Sequence, residues 1–97
     1  SDNMLQQVAY PAEYQEFLQN LAQEIATALS ELDITIKKIE HKYYRVRYTF
    51  TRGNSVATVD AVYNKKKEIS SIQPIRKKGD DADFVNEIEH IMNAWID

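Results

Sequence analysis

All twelve lysine and arginine residues of this 97-residue chain fall between Lys37 and Lys78, where only Glu40, Asp60 and Glu68 oppose them. Twelve cations against three acids make that stretch +9; the regions on either side hold the other twelve acids and no base, −12. The formal net charge of −3 hides this division. Ammonium and guanidinium groups gathered on one stretch are suited to phosphate contact, and an aromatic ring among them adds base stacking. The candidates for such contact are Lys37, Lys38, Tyr43, Arg45 and Arg47, assisted by Lys65, Lys66 and Lys67 and by Arg76, Lys77 and Lys78. The same residues have a plainer use, because charged side chains on strands and turns keep a sheet soluble and its edges unpaired.

Other chemistries find less support. Asp33 followed by Glu40-x-Lys42 has the letters of a metal-dependent nuclease core, but that core needs its two acids on neighbouring strands, whereas these fall at a helix exit and near a turn. Asp80-Asp81-x-Asp83 offers oxygen ligands for a cation, yet carboxylates just ahead of an apolar helical run are better read as a cap that accepts free backbone N–H groups. His41 and His90 stand apart with no HExxH spacing, so no metal site is expected. The absence of cysteine removes thiolate nucleophiles, disulfides, thiolate zinc sites and iron–sulfur clusters, and suits a reducing compartment such as the cytoplasm. With Gly53 and Gly79 as the only glycines, neither a phosphate loop nor a dinucleotide fingerprint can form. The expected protein is therefore no enzyme and has no cofactor. It is a binding or accessory domain touching single-stranded nucleic acid or another polyanion; the alternative is protein–protein interaction or self-association, with an acidic protein as partner, through the open sheet face or the edge strand at residues 68–76.

The elements that must position these residues follow from apolar spacing. Tyr14, Leu18, Leu21, Ile25, Leu29 and Leu32 recur at intervals of three and four, predicting a helix over residues 11–32 with Pro11 at its first position and one buried stripe. From Ile34 to Arg76 the period becomes two. Gly53-Asn54 as a two-residue turn with positive φ at the glycine sets a register in which Phe50 faces Ala57, Tyr48 faces Val59, Val46 faces Ala61 and Tyr44 faces Tyr63. The other side of that hairpin pairs Thr49 with Thr58 and Arg47 with Asp60. A preceding strand over residues 34–40 needs a bulge at Lys37-Lys38 to bring its isoleucines onto one side, and His41-Lys42 is the expected turn after it, which sets Ile39 against Tyr44, Ile36 against Val46 and Ile34 against Tyr48. A fourth strand over residues 68–76 belongs at the sheet edge, since Pro74 lacks a donor. Asp80 or Asp81 then starts a second helix running to Ile96, with Phe84, Ile88, Ile91 and Trp95 facing inward.

The implied fold is a two-layer α+β sandwich, in the order α-β-β-β-β-α. A four-stranded antiparallel meander carries the N- and C-terminal helices on one face and leaves the other to solvent. Residues 1–97 are expected to form one domain, with an irregular lead over residues 1–10 and the option of being an excerpt of a longer protein. Charged or amide side chains interrupt every apolar stretch, and residues 1–7 lack a signal core, so neither a membrane contact nor secretion by a cleaved signal is expected.

Overall fold

A computed structural model describes residues 12–97, so the expected helical start at Pro11 and the lead over residues 1–10 lie outside the described residues. The order of elements is a short 3-10 turn (Ala12–Tyr14), helix α1 (Gln15–Ser30), strands β1 (Thr35–Lys42), β2 (Arg45–Arg52), β3 (Ser55–Tyr63) and β4 (Ile69–Ile75), helix α2 (Ala82–Met92) and a 3-10 turn (Asn93–Trp95). The strands form one antiparallel sheet in the order β1-β2-β3-β4, the expected meander. Helix α1 packs on β1 and helix α2 on β3 and β4. Among the described residues, nineteen buried apolar side chains form a core between the helices and one sheet face.

Helix α1 buries Leu18, Leu21, Ile25 and Leu29, as the spacing requires. Leu32 departs from that stripe and is 45% exposed. The cause is the way the helix ends. The Ile34 N–H donates to the Leu29 carbonyl (3.0 Å) and the Asp33 N–H to that of Ser30 (3.1 Å), with Asp33 left-handed at φ 60°. This is the Schellman arrangement, which satisfies the last carbonyls and reverses the chain. Ile34 thereby takes the buried place that a longer helix would have given Leu32.

The β2–β3 hairpin has the expected register throughout, from Arg45 opposite Val62 to Arg52 opposite Ser55, and Gly53 has the positive φ (59°) that its turn requires. The Tyr63 N–H donates to the Tyr44 carbonyl at 3.1 Å, which closes the far end of the ladder. In β1 the bulge lies where the pattern demands it, between Ile36 and Lys38, leaving Lys37 without a cross-strand partner. The turn, however, is Tyr43-Tyr44 and not His41-Lys42, so β1 is longer and Ile39 faces Tyr48, Ile36 faces Phe50, His41 faces Val46 and Lys42 faces Arg45. Tyr44 adopts φ 55°, an unfavourable region for a bulky residue. Its ring gains edge-on and tilted contacts with Tyr14, Tyr43 and Tyr63 at centroid distances of 5.6, 4.7 and 5.5 Å, which offset that cost.

Strand β4 is the predicted edge strand, with Pro74 opposite Val59. In α2, Asp81 is the N-cap: its Oδ1 accepts from the N–H groups of Asp83 (3.1 Å) and Phe84 (3.2 Å), and its Oδ2 from Ser55 Oγ (2.8 Å). The inward stripe of this helix is Phe84, Val85, Ile88 and Met92, while Ile91 and Trp95 are half-buried at its margin. The apolar spacing alone did not distinguish the two overlapping stripes. The α-helix also stops at Met92, short of the expected Ile96. Replacing Asp81 by alanine leaves two helix N–H groups and the Ser55 hydroxyl without their acceptor, and is expected to cost about 1 kcal/mol, read as a lower urea midpoint at unchanged m-value.

Candidate functional site

The sheet face turned away from the helices is built from alternate residues of the four strands. On β1 it presents Thr35, Lys38, Glu40 and Lys42, and on β2 Arg45, Arg47, Thr49 and Thr51; β3 contributes Val56, Thr58, Asp60 and Val62, and β4 contributes Ser71, Gln73 and Ile75. At its centre Asp60 is fully buried, with 0% relative exposure, although it lies on the side away from the core. Arg47 covers it with two bonds, Nε to Oδ1 at 2.7 Å and Nη2 to Oδ2 at 3.0 Å. Arg45 covers it from the diagonal, with Nη1 donating to Oδ2 at 3.0 Å and to Gln73 Oε1 at 3.0 Å. Burial alone would raise the Asp60 pKa, but the hydrogen bonds and charge of Arg47 and Arg45 outweigh it and hold the carboxyl below its ordinary value.

The predicted pairing of Arg47 with Asp60 is therefore present, and Arg45 joins it. Both arginines are half-buried by this engagement. Their side chains retain only 34% and 26% of their exposure, and the charge they present outward is that of two guanidiniums less one carboxylate. Lys38, with an exposed side chain, lies 3.6 Å from Glu40, a weak surface pair. Lys42 was missed, because the expected His41-Lys42 turn took it out of the strand. The Tyr43-Tyr44 turn instead sets it opposite Arg45 on this face. The face thus holds four cations, Lys38, Lys42, Arg45 and Arg47, against two carboxylates, Glu40 and Asp60.

Residues 15–92 match the family model described as the TATA-binding-like protein domain of the TOTE conflict systems. The chain belongs to this family. The match begins at the first residue of α1 and ends at the last of α2, so it takes in both helices and the whole sheet. No curated protein and no solved structure matches the chain. As a TATA-binding-like domain it is of a binding or accessory kind.

The remaining candidates of this TATA-binding-like domain do not join the face. Tyr43 is 71% exposed, but it sits in the β1–β2 turn and its ring packs edge-on against Tyr44, which belongs to the aromatic cluster on the helix side. No aromatic residue of β1 to β4 occupies the open face. Lys37, in the bulge, lines a cleft beside Ala22 and Ala26 of α1 at the sheet's outer edge. Lys65, Lys66 and Lys67 are exposed in the loop between β3 and β4. That loop is shaped by Asn64 Oδ1, which accepts from the N–H groups of Lys66 (2.9 Å) and Glu68 (3.1 Å). It shares its end of the sheet with Tyr43, because β1 and β3 both finish there.

Arg76, Lys77 and Lys78 follow β4 at the opposite end, so the basic residues divide into a face and two separate ends. Arg76 is also engaged, donating to Asn86 Oδ1 at 2.8 Å with Glu89 at 3.9 Å. Arg52, on the core side of β2, makes two bonds to Glu87 and lies 5.0 Å above the Phe84 ring, tying the sheet to α2. Asp33 and Glu40 stand at opposite ends of β1, on the order of 20 Å apart along the strand. The nuclease arrangement is absent. Among the described residues there is no cluster of three or more His, Cys, Asp or Glu able to hold a metal ion, and no helix long and apolar enough to cross a membrane.

Exchanging Arg45 and Arg47 together for glutamate would leave the buried Asp60 carboxylate beside two more negative charges, so unfolding is expected along with any loss of binding. The expected cost is about 3–5 kcal/mol by chemical denaturation. The depressed Asp60 pKa stabilises the fold above about pH 4, the range of an unfolded aspartate, and that contribution disappears as pH falls through the lower folded value. Asp60→Asn is expected to lessen the dependence of the thermal midpoint on pH below 4.

Proposed function

We propose that this domain is a non-catalytic nucleic-acid-binding module that contacts the phosphate backbone through the β1–β2 half of its open sheet face. The observation that carries the reading is the clamp on Asp60. Two guanidiniums lie side by side on a solvent-facing strand, held in orientation by one carboxylate that is itself shielded from solvent. Held this way, their outward N–H donors meet a phosphate with little further loss of side-chain freedom. Lys38 and Lys42 extend the positive field along β1. The family description, TATA-binding-like, supports nucleic acid as the polyanion.

Among the described residues no ring stands on this face, so the contact is to phosphates and not to stacked bases and makes no distinction between single and double strands. Such a module works as an accessory part of a larger system, in the reducing cytoplasm that a cysteine-free chain suits. The alternative of strand pairing along β4 is less well supported. Ile96 bridges to Ile69 in parallel, the Asp97 N–H donates to the Ile69 carbonyl at 3.0 Å, and Pro74 withholds a donor near the other end, so little of that edge is free.

With at most four phosphate contacts, the logarithm of affinity should fall with the logarithm of salt concentration at a slope no steeper than about −4. Retention on single- and double-stranded DNA is expected at low salt and to be lost in the Lys38→Glu/Lys42→Glu variant, whose unfolding free energy in urea should stay within about 0.5 kcal/mol of the parent's. Absence of retention at low salt, or equal retention by that variant, would overturn the reading.

A further inference from the structure

A second concave feature lies on the other side of the molecule, where α1, the start of β4 and the 3-10 turn after α2 meet. It is a cleft of about 400 Å³, lined by Phe17, Leu21 and Glu24 of α1, Ile69 of β4, and Trp95 and Asp97. Leu21 and Ile69 are buried and supply an apolar floor, and Phe17 and Trp95 are half-buried aromatic walls. Glu24 and Asp97 are exposed carboxylates at the mouth. The indole is fixed in place, because Trp95 Nε1 donates to Glu24 Oε1 at 3.3 Å. Asp97 is fixed as well, through its N–H to the Ile69 carbonyl at 3.0 Å and the adjoining Ile69–Ile96 bridge.

The electrostatics of this cleft are one-sided. Residues 12–36 and 79–97, which supply every wall except Ile69, contain no lysine or arginine. Lys65, Lys66 and Lys67 shortly precede Ile69 in sequence, and among the described residues none of them is ion-paired with Glu24 or Asp97. Two carboxylates that form no ion pair among the described residues, set around an indole and an aliphatic floor, repel a phosphate and attract a cation that has an apolar stem. A planar guanidinium fits best: it stacks on indole, pairs with carboxylates through its fork of donors, and loses little hydration on doing so. The volume suits one or two side chains.

We propose that the cleft between the helices takes an arginine side chain from a basic segment of a partner protein, its guanidinium lying on Trp95 and paired with Glu24 and Asp97. The site is on the helix side and its charge is opposite to that of the sheet face, so it stands independently of nucleic-acid binding there.

Trp95 is the only tryptophan in the chain, so its emission reports occupancy directly. The full chain is titrated with an acetylated Gly-Arg-Gly-Arg-Gly amide and with the same peptide bearing citrulline, followed by fluorescence and calorimetry. A saturable response to the arginine peptide is expected, weakened by salt and about tenfold weaker with citrulline and in Glu24→Gln. The glutamine still offers an oxygen to the indole N–H, so the resting emission and the fold should be unchanged. No response by either method, an equal response to citrulline, or undiminished binding by Glu24→Gln overturns the proposal. Emission that varies with protein concentration alone, together with a sedimenting mass above the monomer, assigns the cleft to a second copy of this chain and overturns it too. Retention on DNA, measured on the same preparations, is expected to be the same with and without the peptide.

Discussion

A carboxylate with no solvent exposure on the outer face of a sheet has to be neutralised where it stands, and at Asp60 that requirement organises the centre of the domain. Its partners come from β2, so the β2–β3 register cannot move by a residue without leaving the charge bare. Gln73 is drawn in from β4 by Arg45, which spreads the same constraint across three strands. The apolar side of the sheet fixes register by burial and the polar side fixes it by charge. The two agree because both follow from one turn at Gly53-Asn54.

How much of this was legible depended on whether a single local rule settled the matter. The glycine turn did so for twenty residues, and an aspartate ahead of an apolar run narrowed the cap of α2 to Asp80 or Asp81, of which Asp81 takes the place. Where two rules competed, the sequence could be read wrongly. His41-Lys42 is the more polar pair and looked like the turn, but Tyr44 accepts a left-handed backbone because its ring enters a cluster assembled from the 3-10 turn before α1, from β3 and from its own neighbour. Leu32 looked like one more member of the α1 stripe, but Asp33 reverses the chain first. Both depend on contacts distant in sequence or on the conformation of one residue, neither of which periodicity records.

The charge division was the most legible functional feature, and its spatial meaning was the least. A stretch of +9 suggested one basic surface; the fold divides it. Arg52 and Arg76 bond to α2, Arg45 and Arg47 share Asp60, and the triplet Lys65–Lys67 lies at the opposite end of the sheet from Lys77 and Lys78. What remains on the open face is modest but oriented. The acids of α1 meet no base within their own helix, whereas Glu87 and Glu89 of α2 are offset from the sheet by Arg52 and Arg76.

The bond between Trp95 and Glu24 joins residues 71 positions apart, whereas every strand pairs with its neighbour in the chain. The meander therefore closes only short loops as it forms, and its ordering entropy is lost in small steps. Docking the final turn against α1 is the longest closure made by a side-chain hydrogen bond among the described residues, ahead of that from the Tyr14 hydroxyl to the Lys65 carbonyl, 51 positions apart. Any two-helix site at that seam accordingly exists only once the whole chain has folded, so the seam reports complete folding in a way that no strand pairing can.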